Sequence, residues 1–96
     1  MLTPNKPRLP EPSIPDDVTG FELDRSVKNQ LRTISKENAV GVGQHLVMVA
    51  EYLDTDIEAA HAHAETAVRR ACRVPAAREA LVLVHYRKGD WAKALS

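Results

Sequence analysis

Ninety-six residues are enough for one small domain with a modest core. With 13 Lys/Arg against 13 Asp/Glu the chain has no formal net charge, so no global field directs it to nucleic acid or an anionic membrane. Cys72 is the sole cysteine, which excludes an internal disulfide and a cysteine-based metal cluster and fits a reduced protein. No apolar run approaches the ~20 residues that span a bilayer. The N-terminus also lacks the apolar stretch of a secretory signal, so the expected location is cytoplasmic, with no membrane partner. Locally the charge is uneven: Met1 to Asp56 carries six basic and nine acidic residues, and Ile57 to Ser96 seven and four.

Five of the six prolines fall at Pro4, Pro7, Pro10, Pro12 and Pro15. Each removes a backbone donor and favours extended chain, so residues 1–16 read as a Pro-rich disordered tail. Its Pro7-Arg8-Leu9-Pro10 run has the form of a short proline-type ligand, although a plain linker is the simpler reading. Thr19-Gly20-Phe21-Glu22 then reads as a capping box with a Val18/Leu23 staple, opening a helix over about 20–34. Leu23, Val27, Leu31 and Ile34 gather on one stripe of that helix.

Ser35 is placed to cap a second helix over about 36–53, with Leu46, Val49, Ala50 and Leu53 on one face. Gly41 and Gly43 each weaken it by about 1 kcal/mol relative to alanine. Two outcomes stay open there, close packing against a neighbour or a kinked first half. Thr55-Asp56-Ile57-Glu58 repeats the capping logic and starts a third helix over about 56–72, on which Ala60, Ala64, Ala67 and Ala71 form a seam of small side chains. Pro75 suits the first turn of a fourth helix over about 75–88. Leu81, Val84 and Leu83 are expected to face inward, Gly89 to stop the helix, and Asp90-Trp91 to begin a fifth. The apolar spacing is helical throughout, so the expected fold is all-α.

Tyr52 and Tyr86, Asp56 and Asp90, and Ala60 and Ala94 are identical pairs 34 residues apart, the period of a helix-turn-helix solenoid repeat. On these residues, and on Leu81, Gly89-Asp90-Trp91 and Ala94 in one window and Val47, Asp56, Ile57, Ala60 and Ala67 in the other, residues from about Gly41 to Ser96 resemble the tetratricopeptide repeat (TPR) family. The resemblance implies antiparallel hairpins in a right-handed solenoid, with the first helix acting as a cap. The motif is degenerate, with Met48 and Val82 at its small position, Glu51 and His85 at its tyrosine, and Gln44 and Arg78 at its early tryptophan. More loosely, the proline-rich lead, Val18 to Leu31, Leu46 to Leu53 and the alanine seam resemble the N-terminal region of uncharacterised repeat proteins from high-GC bacteria. Ser96 falling in mid-helix suits an array with further repeats beyond it.

The histidines are the best candidates for a reactive site. His61 and His63 are two residues apart, on different sides of a helix, and do not form the i, i+4 pair that a metal uses. Cys72 lies near a helix C-terminus, where the dipole does not lower a thiol pKa, and reads as a buried or half-buried side chain. No phosphate loop, nucleophile elbow or dinucleotide fingerprint occurs. The expected class is therefore non-enzymatic, with no cofactor and no metal. Arg69, Arg70 and Arg73, with Arg78, Arg87 and Lys88, make the one basic cluster.

Two functions follow. In the first, the chain is a protein-interaction scaffold whose concave face offers Gln44, Met48, Glu51, Tyr52, Arg78, Val82, His85 and Tyr86 to a protein or peptide partner, or to a second copy. In the alternative, it is a nucleic-acid or ribosome-associated module that uses Arg69, Arg70 and Arg73 and weakens steeply with salt.

Overall fold

The computed structural model describes the backbone of residues 11–95 and the side chains of residues 11–89. The described residues form four helices and no strand: α1 (Arg25–Leu31), α2 (Lys36–Tyr52), α3 (Ile57–Arg70) and α4 (Pro75–Leu95). Asn38 contacts Arg70 at one end of the α2/α3 pair and His45 meets His63 at its middle, so these helices run antiparallel. Lys88 reaches Glu58 on the first turn of α3, so α4 runs antiparallel to α3 in turn. Helix α2 is central and touches all three others, whereas α1 lies across α2 and α4.

The caps explain where three helices begin. The Ser35 side chain accepts from Asn38 N at 3.3 Å, the Asp56 carboxylate accepts from Ala59 N at 3.2 Å, and Pro75 is the first residue of α4. The first helix differs from its expected span. Half of the capping box forms: the Thr19 amide donates to the Glu22 carboxylate at 3.1 Å, but Thr19 Oγ1 accepts from Phe21 N and not from Glu22 N. Hydrogen bonds to its carboxylate hold the Glu22 pKa below its ordinary value. No helix follows, because Gly20 has φ 90°, a left-handed conformation that a right-handed helical turn does not accept. The half-formed box closes a turn, and α1 starts at Arg25 with Asp24 as its cap. The apolar stripe still works as expected: Leu31 is in the core, and Leu23, Val27 and Ile34 pack against it from both sides of the short helix.

Of the two α2 glycines Gly43 serves close packing against backbone, whereas Gly41 meets only the end of a flexible side chain, and α2 is unbroken. A Cβ on Gly43 would come within 2.9 Å of the Gly20 carbonyl oxygen, and one on Gly41 would collide with the Arg70 guanidinium. Gly20 and Gly43 thus let the lead segment lie directly on α2, where Gln44 Nε2 donates to the Val18 carbonyl at 3.0 Å. The stretch from Glu11 to Asp16, expected as disordered tail, lies against the helices: Glu11 is 3.2 Å from Arg70 Nε, and Pro12 and Ile14 are half-buried. Pro4, Pro7 and Pro10 lie outside the described residues.

Ala60, Ala64, Ala67 and Ala71 are all buried, as a seam of small side chains requires. Ala67 and Ala71 join Leu31, Val42, Leu46, Val74 and Ala77 in one core cluster. Ala60 and Ala64 join Val49, Leu53, Ile57 and Val84 in another.

Helix α4 corrects the expected end of the chain. It continues through Gly89 to Leu95, so the fifth element expected at Asp90-Trp91 is the continuation of α4. The turn that separates α2 from α3 at Leu53 to Asp56 is therefore matched, 34 residues on, by uninterrupted helix. Gly89 has no atom within 4 Å of where its Cβ would be and no positive φ. It costs the helix about 1 kcal/mol relative to alanine, a preference too small by itself to end a helix. Gly89→Ala should accordingly raise the urea-unfolding free energy by about 1 kcal/mol, whereas a loss of stability would mean that residue 89 is not helical.

Candidate functional site

Helix α4 packs with one side and leaves the other open. Ala77 and Val84 are buried and Ala80 and Leu81 half-buried on the inner side. On the outer side Val82 and Tyr86, one turn apart, are each 67% exposed, and Leu83 beside them is 42% exposed. Leu83 was expected inside, but Ala80 and Val84 take the inward positions of that turn and rotate it out. Leu83 also forms the lip of a groove of about 270 Å³ floored by Leu46, Val49, Ala50 and Leu53 of α2, with Leu23 and Val27 as its far wall. Leu83 thus lies beside both the outer stripe and the groove, and the exposed Glu79, one turn before it, also lines the groove.

The expected binding residues divide by helix. Arg78, Val82, His85 and Tyr86 are all exposed on α4. On α2, Glu51 is exposed and Tyr52 half-buried, stacked on His63 with ring centroids 5.9 Å apart. Met48 is only 4% exposed, and Gln44 is tied to the Val18 carbonyl. Met48 and Gln44 are thus unavailable to a partner, because the lead segment, α1, α3 and α4 surround α2. Of the residues expected on one concave face, those on α4 are exposed and Met48 and Gln44 of α2 are covered.

The histidines separate into two clusters. His45 and His63 are both buried, and their Nδ1 atoms are 2.9 Å apart. One Nδ1 must donate and the other accept, so the rings are opposite tautomers. His45 Nε2 lies 3.6 Å from Glu11. A proton there leaves His45 Nδ1 to accept, with His63 Nδ1–H as donor. Burial lowers both pKa values, that of His63 to about 4 with the His45 charge adding to the effect. For His45 the nearby Glu11 carboxylate opposes the burial effect and Arg70 reinforces it. This pair was missed in the sequence, although a signal existed. His45 lies between Val42 and Val49, and His63 between Ala60 and Ala67, so each is polar on an apolar face.

His61 belongs elsewhere. Lys88 Nζ donates to its Nδ1 at 2.6 Å, His85 meets it edge to face, and Glu65 Oε2 is 3.3 Å from its Nε2 but off the hydrogen-bond direction. Among the described residues no group of three or more His, Cys, Asp or Glu side chains is placed to hold a metal ion.

Cys72 is exposed, contrary to expectation. Helix α3 ends at Arg70, and Ala71 and Val74 take the buried positions of the turn, leaving Cys72 and Arg73 outside. Of the basic cluster, Arg70 is engaged by Glu11 and Arg69 Nη2 donates to Thr66 Oγ1 at 3.2 Å, so only Arg73 of the three makes no side-chain bond or ion pair among the described residues. No described helix is long and apolar enough to cross a membrane. Comparison with family models, with curated proteins and with solved structures found no match to this chain.

Proposed function

We propose that the chain is a non-enzymatic protein-interaction module, TPR-like in its α2/α3 hairpin and alanine seam, that takes an amphipathic helix of a protein partner on the outer side of α4. The observation that carries this reading is the exposure of the apolar side chains Val82, Leu83 and Tyr86 beside the groove over α2, which Leu83 lines. Large apolar side chains on adjacent turns beside a groove are the geometry of helix-in-groove recognition. Arg78 and His85 flank the stripe and supply a polar rim. The reading favours this surface over Arg69, Arg70 and Arg73 as a nucleic-acid site, because Arg69 and Arg70 are committed within the fold.

Val82→Asp/Tyr86→Asp is the direct test, since both side chains are exposed and their replacement leaves the core intact. Capture of the partner helix should weaken by about tenfold or more, the scale of losing anchors at an interface centre. The far-ultraviolet circular dichroism and melting temperature should stay unchanged, and Arg69→Gln/Arg73→Gln should capture as the parent chain does. Capture unaffected by the α4 changes but lost with the arginines would reverse the assignment. A concentration-dependent dimer that Val82→Asp/Tyr86→Asp dissolves would identify the occupant as a second copy.

A further inference from the structure

A second cavity, of about 450 Å³, opens where the lead segment, α1 and the start of α2 meet. Leu31, Ile34, Ala39 and Val40 form its apolar lining, and Phe21, 67% exposed, stands at its edge. Gly20 at φ 90° turns the chain so that Phe21 stands there while the preceding residues lie on α2. Three cations line the same space: Lys28 and Arg32, one turn apart across the end of α1, and Lys36, the first residue of α2.

No acidic residue lines this cavity. None of Lys28, Arg32 and Lys36 is in an ion pair among the described residues, whereas Arg70, Arg87 and Lys88 are. Residues 1–10 contain no Asp or Glu and bring no counter-charge. Three like charges around one hollow repel each other, with Glu37, also in the first turn of α2, outside the cavity lining. An anion relieves this, and the lining favours an apolar body attached to it. A small ion alone leaves the lining wet, and a neutral hydrocarbon leaves the charges unanswered.

The geometry points to a binding site for an amphiphilic organic anion: an alkyl or aryl body seated on Leu31, Ile34 and Val40, with a carboxylate or phosphate held by Lys28, Arg32 and Lys36. The volume is that of a small-molecule pocket. A macromolecular interface needs roughly 800 Å² on each side, far more than this local hollow offers. The site is separate from the α4 surface, and neither depends on the other.

Decanoate is a suitable probe, titrated into the full chain and followed by amide chemical shifts. Saturable shifts should centre on Gly20, Leu31, Ile34, Ala39 and Val40, and decyl phosphate should reproduce them. Decanol and inorganic phosphate should each bind far more weakly. Lys28→Gln/Arg32→Gln/Lys36→Gln, three exposed changes, should weaken decanoate by about tenfold without altering the melting temperature, and Ala39→Leu should weaken it by filling the lining. Val82→Asp/Tyr86→Asp should bind decanoate as the parent does. Equal affinity for decanol, full affinity in the triple variant, or shifts that never saturate would overturn the assignment. So would seating of an acidic apolar peptide on a chain that decanoate leaves unshifted.

Discussion

Ala64→Leu should destabilise the chain by about 3 kcal/mol, on the scale of half the stability of so small a domain. Ala64 is fully buried on α3, packed in the cluster of Val49, Leu53, Ile57, Ala60 and Val84. Its methyl group lets α2 and α3 approach closely, and with Ala60 and Ala67 also fully buried there is no neighbouring gap into which a longer side chain can turn. Three added carbons must separate the helices or force strained rotamers. Urea unfolding measures the effect, with Glu65→Leu as the control. Glu65 is exposed one residue away, so its replacement should move the midpoint little. If leucine at position 64 changes stability by less than about 0.5 kcal/mol, the seam is not a close contact.

The second large effect is acid sensitivity. His63 has its pKa lowered from an ordinary 6.5 to about 4, by burial first and by His45 second, and His45 is lowered in the same direction. Between those values the unfolded chain binds protons that the folded chain excludes, so stability increases with pH across the window. The contribution is complete above 6.5 and is lost as pH falls toward about 4, a change on the order of 3 kcal/mol for His63. The geometry agrees with the direction: one proton must be shared between two Nδ1 atoms 2.9 Å apart, and a second proton would set two donors face to face. Glu11, Arg69, Arg70 and the Tyr52 ring surround the pair. Unfolding free energies from pH 7 to pH 4.5 should fall in the parent chain and fall much less in His45→Leu/His63→Leu. A flat parent profile would mean that the pair is not buried in its neutral form.

Much of the architecture was legible because it rests on short-range chemistry. Ser35, Asp56 and Pro75 announce helix starts through hydrogen bonds or a missing donor within one turn. The stripe from Leu23 to Ile34 and the alanine seam announce buried faces through spacing alone. The capping signal at Thr19 was equally local, yet only its Glu22 half forms and no helix follows it, because Gly20 adopts a left-handed turn packed against Gly43 more than twenty residues away. The 34-residue echo was the least reliable guide to element boundaries. Tyr52 and Asp56 bracket a turn, whereas Tyr86 and Asp90 lie within one helix.

The candidate site was half legible for a similar reason. Val82 and Arg78 are exposed because among the described residues α4 has neighbours on one side only, while Met48 and Gln44, 34 residues earlier on α2, are covered. Periodicity assigns a residue to a face of its helix but does not say which faces acquire neighbours. By itself the sequence determined the helical class, the caps and the two apolar seams, since these depend on contacts within a few residues. Tertiary structure alone decided which helix would be central, whether Gly89 would end α4, and that His45 and His63 would meet. Those outcomes depend on contacts between segments distant in the chain, whose free energy outweighs the roughly 1 kcal/mol preferences that local sequence expresses.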